Sequence, residues 1–515
     1  MSAAAPGVAD PRERTAETFD RAYSWRIMAI MSVLVMIVMY IEGMLTPSLP
    51  TIAREFHVDV AQVSLVLSVY LVTGVALSPI AGKLGDVYGK KRVLTVILVL
   101  YTLAVSVTGF SPSYEFMVAS RAIQGVGLTI FPLAMSLVRE EFPREMVPRA
   151  QGILSGLFGA GFAVSLPLGA FVSNTFGWRF TYHSAVPVVA LVTIAAFVVL
   201  RESPYRRPNA FVDYGGAGFL AASLALFVLG LSQGPVWGWG SPLVLGLMAG
   251  GAILLVPTAL VEIYHHRRGR EVILDVRLLS RRNVLVTNLI IVVSGFGMFL
   301  AFQALTFRLE YPPPVGFGQD IFQTGLAFVA FAVPMLVFAP LASLAVTRVG
   351  TRPMTAVGCA VAATGFYLAT LATVLPALLA SMVVIGAGIA VMNSSVINLL
   401  VLTVEPRDMG LATSLNAVFR NVGSSVGAPL AGSLMATFTV VEFGTTFPSP
   451  TAFRDAYLIA AVASASAGVL VLFAKEILGK RAVREALASD ERPPLAVPRA
   501  APAPADAPAA AGPGG

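Results

Sequence analysis

Three charged residues lie inside long apolar runs of this sequence: Glu42, Arg121 and Arg420. A charge at the centre of a lipid bilayer costs at least about 2.5–3.5 kcal/mol on insertion scales, so a charge kept there is a candidate for function. A carboxylate in such surroundings can exchange a proton, and a nearby arginine favours its ionised form. We therefore predict that Glu42 and Arg121 couple proton binding to function. A permanent structural ion pair is the alternative.

Helix geometry places these charges at two depths. Glu42 and Arg121 each lie about six residues from the outer end of a predicted span, or roughly 9 Å below the outer surface. If they are adjacent in only one conformation, the proton affinity of Glu42 depends on that conformation. Arg420 lies roughly 15 Å deep, where the second half of the chain offers no carboxylate. It is expected to contact Asn393, Asn416, backbone carbonyls or a ligand, or else to be purely structural.

A short polar segment, GKLGDVYGKKRV (82–93), interrupts two apolar runs. Glycine followed by lysine suggests a phosphate-binding loop, but that loop needs a glycine four residues before a Gly-Lys-Ser/Thr triplet. Here Leu84 stands at the first glycine position and Lys91 at the hydroxyl position. The spacing therefore excludes a phosphate-binding loop of this type.

The composition indicates the class of protein in which these residues must be positioned. Of the 515 residues, 56% are hydrophobic and 12% are charged. About 20 apolar residues cross a hydrocarbon core roughly 30 Å thick, and by this measure the sequence contains fourteen spans. The single cysteine, Cys359, has neither disulfide nor metal spacing, and no metal site is expected. We predict an all-α integral membrane protein.

The net charge of +7 reflects membrane topology. With a cytoplasmic N-terminus, the lysines and arginines between spans fall on the cytoplasmic side except for Arg54, Arg179, Arg308 and Arg454, as the positive-inside rule requires. No nucleic-acid partner is expected. We predict a multi-pass protein of the inner (plasma) membrane with both termini in the cytoplasm.

The chain also repeats itself. The segment PIAGKLGDVYGKKR (79–92) aligns with PLASLAVTRVGTRP (340–353) at an offset of 261 residues, so spans 1–6 and 9–14 are predicted to be related bundles. Repeated halves are a transporter architecture, with the substrate site between them near the midplane. The predicted divisions are an N-terminal tail (1–26), a first six-helix bundle (27–200), a linker with two extra spans (201–284), a second six-helix bundle (285–476) and a disordered tail (477–515).

The sequence resembles the major facilitator superfamily and, within it, the fourteen-helix drug:proton antiporters. GKLGDVYGKKRV resembles the superfamily signature between the second and third helices, and RAIQGVG (121–127) resembles the fourth-helix signature of proton-coupled exporters. FGWRFTYHSAVP (176–187) resembles the stretch that opens the sixth helix of the fourteen-helix family. The fifth-helix signature is met loosely, by the packing positions Gly161, Pro167 and Gly169.

The resemblance implies the major facilitator fold, two six-helix bundles with two inserted helices, and proton-coupled export of amphipathic small molecules or drugs. It also implies a conformational latch in which Asp86 faces the start of the thirteenth span and Lys90 links Asp86 to Glu140. Gly82, Gly89 and Arg92 belong to the same latch, and the two glycines are expected to allow tight backbone turns. Simple topogenic charge is the alternative for the cations.

Further polar and small residues are candidates for the substrate cavity. Helix–helix hydrogen bonding and close packing are the alternatives for the glutamines and the glycine among them. These cavity candidates are Gln124, Gly125, Gln303, Asn393, Asn416 and Arg420.

The expected partners are a small-molecule substrate, protons and the lipid bilayer. The proton is the coupling ion, no cofactor is expected, and the chain is expected to act as a monomer. Uptake or lipid transport by the same fold, and a non-transporting receptor or scaffold, are the alternatives. An enzyme is not expected, because the sequence has no nucleotide-binding loop, no His-Glu-x-x-His and no nucleophile elbow.

Overall fold

The computed structural model describes residues 21–142, 147–202, 214–267, 276–404, 409–442 and 444–475. Most of the predicted N-terminal tail and the whole predicted tail 477–515 lie outside these ranges. Within them the chain is helical apart from one short hairpin. This agrees with a chain in lipid, where each backbone polar group needs a partner from the protein itself.

The first half of the chain is built from helices that follow the predicted apolar runs. Two predicted spans are interrupted. Pro47 and Pro50 accompany the break in the first span, because proline lacks the N–H that a continuous helix needs. A 3-10 turn, Gly125–Thr129, interrupts the fourth. The helices are α1 (Arg21–Gly43), α2 (Leu49–Glu55), α3 (Val60–Tyr88), α4 (Lys90–Thr108), α5 (Tyr114–Gln124), α6 (Ile130–Glu141), α7 (Val147–Phe176) and α8 (Trp178–Val199).

The remainder of the described chain contains ten helices and two strands. The strands pair antiparallel, with Thr439 opposite Pro448 and Glu442 opposite Thr445. The elements are α9 (Tyr214–Trp237), α10 (Pro242–Arg267), α11 (Val276–Ser280), α12 (Arg282–Glu310), α13 (Ile321–Ala327), α14 (Val329–Val349), α15 (Thr351–Leu371), α16 (Leu375–Thr403), α17 (Met409–Thr437), β1 (Thr439–Glu442), β2 (Thr445–Pro448) and α18 (Pro450–Leu470).

Twelve helical segments in the described residues are long and apolar enough to cross a membrane. They correspond to all predicted spans except the fifth and the thirteenth. At those two places the structure has α7 and α17, of 30 and 29 residues, which are not among the twelve. The total of fourteen spans stays a prediction.

The two halves repeat in their helix-end geometry as well as in their sequence. Asp59 caps α3 through a capping box with Gln62, and Asp320 caps α13 through the same box with Gln323, 261 residues later. Gly89 (φ 105°) separates α3 from α4, and a second glycine 261 residues later (φ 104°) separates α14 from α15. A positive φ favours glycine because it has no Cβ. The internal repeat is therefore visible in the backbone.

The two extra helices lie to one side of the bundles. Helix α9 packs against α3 of the first half and α17 of the second, and α10 packs on α9. Val228 of α9 contacts Val72 and Val75 of α3 and Val418 of α17 in one apolar cluster. Helix α9 thus lies along the junction of the two halves, on its outer surface.

The halves contact each other near the ends predicted to face outward. Gly325 of α13 packs on α7, where a Cβ on this glycine would lie 2.9 Å from the Leu166 carbonyl oxygen. Gly432 of α17 packs on the start of α3, where a Cβ would lie 2.8 Å from the Val60 carbonyl oxygen. Both contacts bring backbone within van der Waals distance of the other half.

Within the second half, α12 and α17 approach equally closely. A Cβ on Gly423 or Gly427 would collide with carbonyl oxygens of α12, and a Cβ on Gly295 would collide with the carbonyl oxygen of Arg420. Glycine at three positions along this interface allows the two backbones to touch.

Candidate functional site

A cavity lies between the two halves. Helices α1 and α7 of the first half and α12, α14, α16 and α17 of the second contribute to it, whereas no described side chain of α9 or α10 lines it. One wall is apolar, as binding sites for apolar molecules usually are. Its larger side chains are Met39, Phe162, Leu166, Met298, Phe299 and Met335.

Aromatic side chains of both halves pack together beside the cavity. Phe162 of α7 stacks on Phe302 of α12, with ring centroids 5.6 Å apart and an interplanar angle of 11°. Phe302 also packs edge-on against Phe328 and Phe331 at 5.4 and 4.9 Å.

The polar wall comes mainly from the second half. Ser294 of α12 donates to the Asn393 side-chain oxygen at 2.9 Å, which orients that amide. Arg420 of α17 lines the same wall together with its neighbour Asn421. Two of the predicted cavity residues, Asn393 and Arg420, are therefore brought together here.

The other predicted cavity residues lie elsewhere, and this is a correction. Gln124 is fully buried and accepts a hydrogen bond from Arg121 inside the first bundle. Gly125 packs on α3, where a Cβ would lie 2.5 Å from the Tyr70 carbonyl oxygen. Gln303 is fully buried, and Asn416 donates to Asn288 at 3.1 Å. None of these four residues is among those that line the cavity. Asn416 joins α17 to α12, whereas neither amide atom of Gln303 has a hydrogen-bond partner among the described residues.

Glu42 lies on the cavity wall contributed by the first half. Only 8% of the surface of Glu42 is exposed, and the residue lines the cavity beside Met39. Arg420 of α17 lines the same cavity from the second half. Glu42 therefore faces the cavity and the arginine of the other half.

The predicted pair of Glu42 and Arg121 is not formed in this structure. Arg121 is fully buried, donates from Nε to the Val66 carbonyl at 3.1 Å and from Nη1 to Gln124 at 2.9 Å, and lies 4.6 Å from the Tyr70 ring centroid. Among the described residues, no ion pair joins Arg121 or Glu42 to an opposite charge within 4 Å. The first bundle itself supplies the partners of Arg121, which is why Glu42 is not needed as one.

The loop between α3 and α4 holds a compact ionic cluster. Lys90 Nζ lies 2.5 Å from Glu140 Oε1, and these side chains are only 8% and 15% exposed. Glu202, just beyond α8, pairs with Arg92 at 3.6 Å and accepts from the Lys91 N–H at 3.2 Å. The implied link from Lys90 to Glu140 is thus present, and Glu202 is a member of the cluster that the sequence analysis missed.

At two latch positions, Asp86 and Gly82, the implied arrangement is not observed. The side chain of Asp86 lies outside the described residues, so its predicted place against α17 stays a prediction. Gly82 was expected to form a turn, but it lies inside α3, which continues to Tyr88; the turn is made by Gly89 alone. The helix continues through Gly82 because its backbone N–H and carbonyl groups are satisfied there by helical hydrogen bonds.

The predicted packing positions of the fifth span lie in close contacts. A Cβ on Gly161 would lie 2.8 Å from the Met36 carbonyl oxygen, and one on Gly169 would lie 2.6 Å from Met44 Cα. Pro167 lies inside α7 opposite Gly325 of the second half. In the described residues no group of three or more His, Cys, Asp or Glu side chains could hold a metal ion.

Two repeated helical halves around a central cavity define a multi-pass membrane protein of the transporter type. The sequence profile of the Major Facilitator Superfamily matches residues 31–214 and 285–505. The chain belongs to this superfamily, and the predicted fold class is confirmed apart from the number of spans.

Known proteins similar to this chain include several named for transport. An uncharacterized MFS-type transporter of Mycobacterium tuberculosis is 30% identical over 415 residues, which are 79% of this chain but only 59% of that protein. The tetracenomycin C resistance and export protein of Streptomyces glaucescens is 25% identical over 432 residues, 83% of this chain and 78% of that protein. The solved xylose transporter XylE from E. coli matches with a TM-score of 0.61 at 15% identity, over 89% of this chain and 99% of that one.

Proposed function

We propose that this protein is a secondary active transporter that exports amphipathic small molecules or drugs in exchange for protons. The observation that carries the proposal is the cavity between the halves, with a carboxylate on one half and an arginine on the other. When the halves rock, the distance between these charges must change, so the proton affinity of the carboxylate changes with the direction in which the cavity opens.

The lining of the cavity supports an amphipathic substrate. Phe162, Phe299 and Met298 offer an apolar surface, and Asn393 with Arg420 offers hydrogen-bond donors on the opposite wall. The similarity to a protein named for antibiotic resistance and export supports drugs as the substrate class. An enzyme is not proposed, because these groups bind and orient a molecule and provide no nucleophile beside a base.

Proton exchange has two requirements. The carboxylate must be shielded from bulk water, and protons must reach it from one side of the membrane at a time. Glu42 satisfies the first condition, since it is 8% exposed on the wall of the cavity. For the second condition we propose that the latch closes one side in one state: the ionic cluster around Lys90 and Glu140 lies within the first half and would hold the loop from which Asp86 meets α17 of the second half. The proposed partners are a small-molecule substrate, protons and lipid, with one chain as the working unit.

Transport in inverted membrane vesicles tests the proposal. The lumen of such a vesicle corresponds to the outside of the cell, so an acidic lumen should drive fluorescent dyes and antibiotics inward. We expect accumulation that stops when an ionophore collapses the pH gradient, with vesicles lacking the protein as the control. Transport in the opposite direction would indicate an uptake carrier, and binding without transport would indicate a receptor; both contradict the proposal.

A further inference from the structure

One hydrogen bond on the cavity wall fixes the orientation of an amide. Ser294 of α12 donates from Oγ to Oδ1 of Asn393 on α16 at 2.9 Å, and both residues line the cavity. Ser294 is only 5% exposed, so its hydroxyl is enclosed between the two helices. The serine therefore occupies the amide oxygen of Asn393 and leaves the amide nitrogen for another partner.

The side-chain nitrogen of Asn393 has no acceptor within the described part of the chain. The bond from Ser294 is the one hydrogen bond that the Asn393 side chain makes there, and Nδ2 is not among the buried atoms that lack a partner. Nδ2 is therefore accessible, and the open space beside Asn393 is the cavity that this residue lines. An amide nitrogen carries two N–H donors, which are thus available to a molecule in the cavity.

The wall of the second half offers donors to such a molecule. Arg420 lines the same wall as Asn393, and a guanidinium carries N–H donors and no acceptor. A cationic group cannot accept from either side chain and is repelled by Arg420, whereas a carbonyl oxygen accepts through two lone pairs. The acid that lines the cavity, Glu42, belongs to the first half. The wall of the second half therefore selects an acceptor on the substrate.

The apolar wall indicates the shape of the rest of the substrate. Phe162 and Phe299 line the cavity, with ring centroids 6.4 Å apart and an interplanar angle of 44°. Aromatic rings pack on one another in offset or edge-on arrangements. A flat aromatic molecule can pack on these two rings and direct an oxygen at its edge toward the amide of Asn393.

We propose that Asn393 selects substrates with a carbonyl oxygen at the edge of an aromatic ring system, and that Ser294 is the positioning residue that keeps the Asn393 nitrogen toward the cavity. Without the serine hydroxyl the amide is free to rotate by half a turn and to present its oxygen, which repels a carbonyl. The inference rests on the proposed function, because it assigns a substrate class to the same cavity.

Two probes that differ only in the carbonyl group test this inference. Xanthone carries a carbonyl, and xanthene has a methylene group at the same place in the same three-ring framework. The affinity of each probe is measured on purified protein in detergent, by competition with a bound fluorescent dye. The quantity compared between variants is the ratio of xanthone affinity to xanthene affinity, because this comparison cancels the unequal partitioning of the two probes into detergent.

Substitutions at the pair should lower this ratio. Ser294→Ala removes the hydroxyl and Asn393→Ala removes the amide, and each should reduce the ratio about three- to tenfold relative to the wild type. This change converts to roughly 0.7–1.4 kcal/mol, the net contribution of about one neutral hydrogen bond. Ser294→Thr keeps a hydroxyl and should keep the ratio of the wild type.

Ser343→Ala is the matched control. Ser343 of α14 accepts from Asn398 Nδ2 at 3.1 Å, so it is also a serine bonded to an asparagine of α16, but neither residue is among those that line the cavity. This variant should keep the wild-type ratio. An unchanged ratio in Ser294→Ala would overturn the inference. An equal loss of affinity for both probes would do so as well, because it would show that the hydrogen bond serves only helix packing.

A structure of the wild-type protein with xanthone bound provides a second test that needs no variant. We expect the carbonyl oxygen within about 3.2 Å of Asn393 Nδ2. A carbonyl turned away from Asn393, or xanthone that fails to displace the dye, would overturn the inference. Both tests measure binding and need neither a membrane nor a pH gradient, so failure of proton-driven export and failure of substrate selection are distinguishable.

Discussion

Glu42 and Arg420 line one cavity from opposite halves of the chain. Glu42 belongs to the first bundle and Arg420 to the second. An interaction between them is therefore sensitive to the relative position of the halves, whereas an interaction between Glu42 and Arg121 depends on movements within one half.

Replacement of Glu42 is the most direct test of proton coupling. Glu42→Gln keeps the shape of the side chain and removes its charge, so uphill export driven by a pH gradient should fall to background. Substrate binding and counterflow exchange should persist, because the apolar wall is unchanged. Both are measured in reconstituted vesicles with the same dye.

Glu115→Gln is the control for that experiment. Glu115 is exposed at the start of α5, so the same chemical change at that position should leave export intact. Normal uphill export by Glu42→Gln would refute its role in coupling. Loss of insertion or folding in Glu42→Gln would support a purely structural acid.

The contact between Lys90 and Glu140 predicts a charge-swap result. Lys90→Glu and Glu140→Lys each place like charges 2.5 Å apart, and each should lower the transport rate several-fold and reduce the stability by roughly 1.5–3 kcal/mol. The double variant restores an opposite pair and should recover part of both losses. Transport rates and thermal unfolding in detergent measure this; single variants with wild-type rates would contradict a latch at this contact.

Two glycines of one loop signature predict opposite effects on stability. Gly89 has a φ of 105°, and a Cβ there would collide with the Glu202 carboxylate, so Gly89→Ala should destabilise the protein by about 1–3 kcal/mol. Gly82 lies inside α3 with no described atom near its Cβ position, so Gly82→Ala should be neutral or stabilise by up to about 1 kcal/mol. Thermal unfolding of the two variants side by side tests this contrast. A Gly82→Ala variant as unstable as Gly89→Ala would show that Gly82 is not free within the helix.

The repeated capping boxes predict that the loss of either cap lowers the stability of the protein by the same amount. Asp59 accepts from the Gln62 N–H at 2.6 Å and Asp320 from the Gln323 N–H at 2.7 Å. Asp59→Ala and Asp320→Ala should each cost about 1 kcal/mol, and the corresponding Asn variants much less, since asparagine caps a helix as well as aspartate does. Unfolding temperatures that do not distinguish Ala from Asn would contradict capping by these side chains.

The fold could be predicted because the sequence features that determine it are local segments of the chain. The length of an apolar run identifies a span, and a shared loop signature relates the halves. The capping boxes were overlooked, although Asp followed by Gln three residues later is a recognisable helix start. Gly82 was misread because a glycine in a loop signature resembles a turn, while helix continuation depends on the hydrogen bonds of its neighbours.

The site was harder to predict, for a geometric reason. The cost of burying a charge identified Glu42, Arg121 and Arg420 as candidates. Counting residues gives the depth of each charge, but it gives neither the direction in which the side chain points nor the packing of one half on the other. The search for a carboxylate near Arg420 was confined to the second half, and the acid was found on the first.

The glycines between α12 and α17 have a mechanical consequence. Because backbone touches backbone at Gly295, Gly423 and Gly427, neither helix can slide or tilt against the other without a steric clash. The pair behaves as one lever that carries Arg420 together with Ser294 and Met298. The guanidinium and the groups beside it must then move as one unit relative to Glu42 of the first half, so the polar wall of the cavity keeps its shape whichever way the halves are arranged.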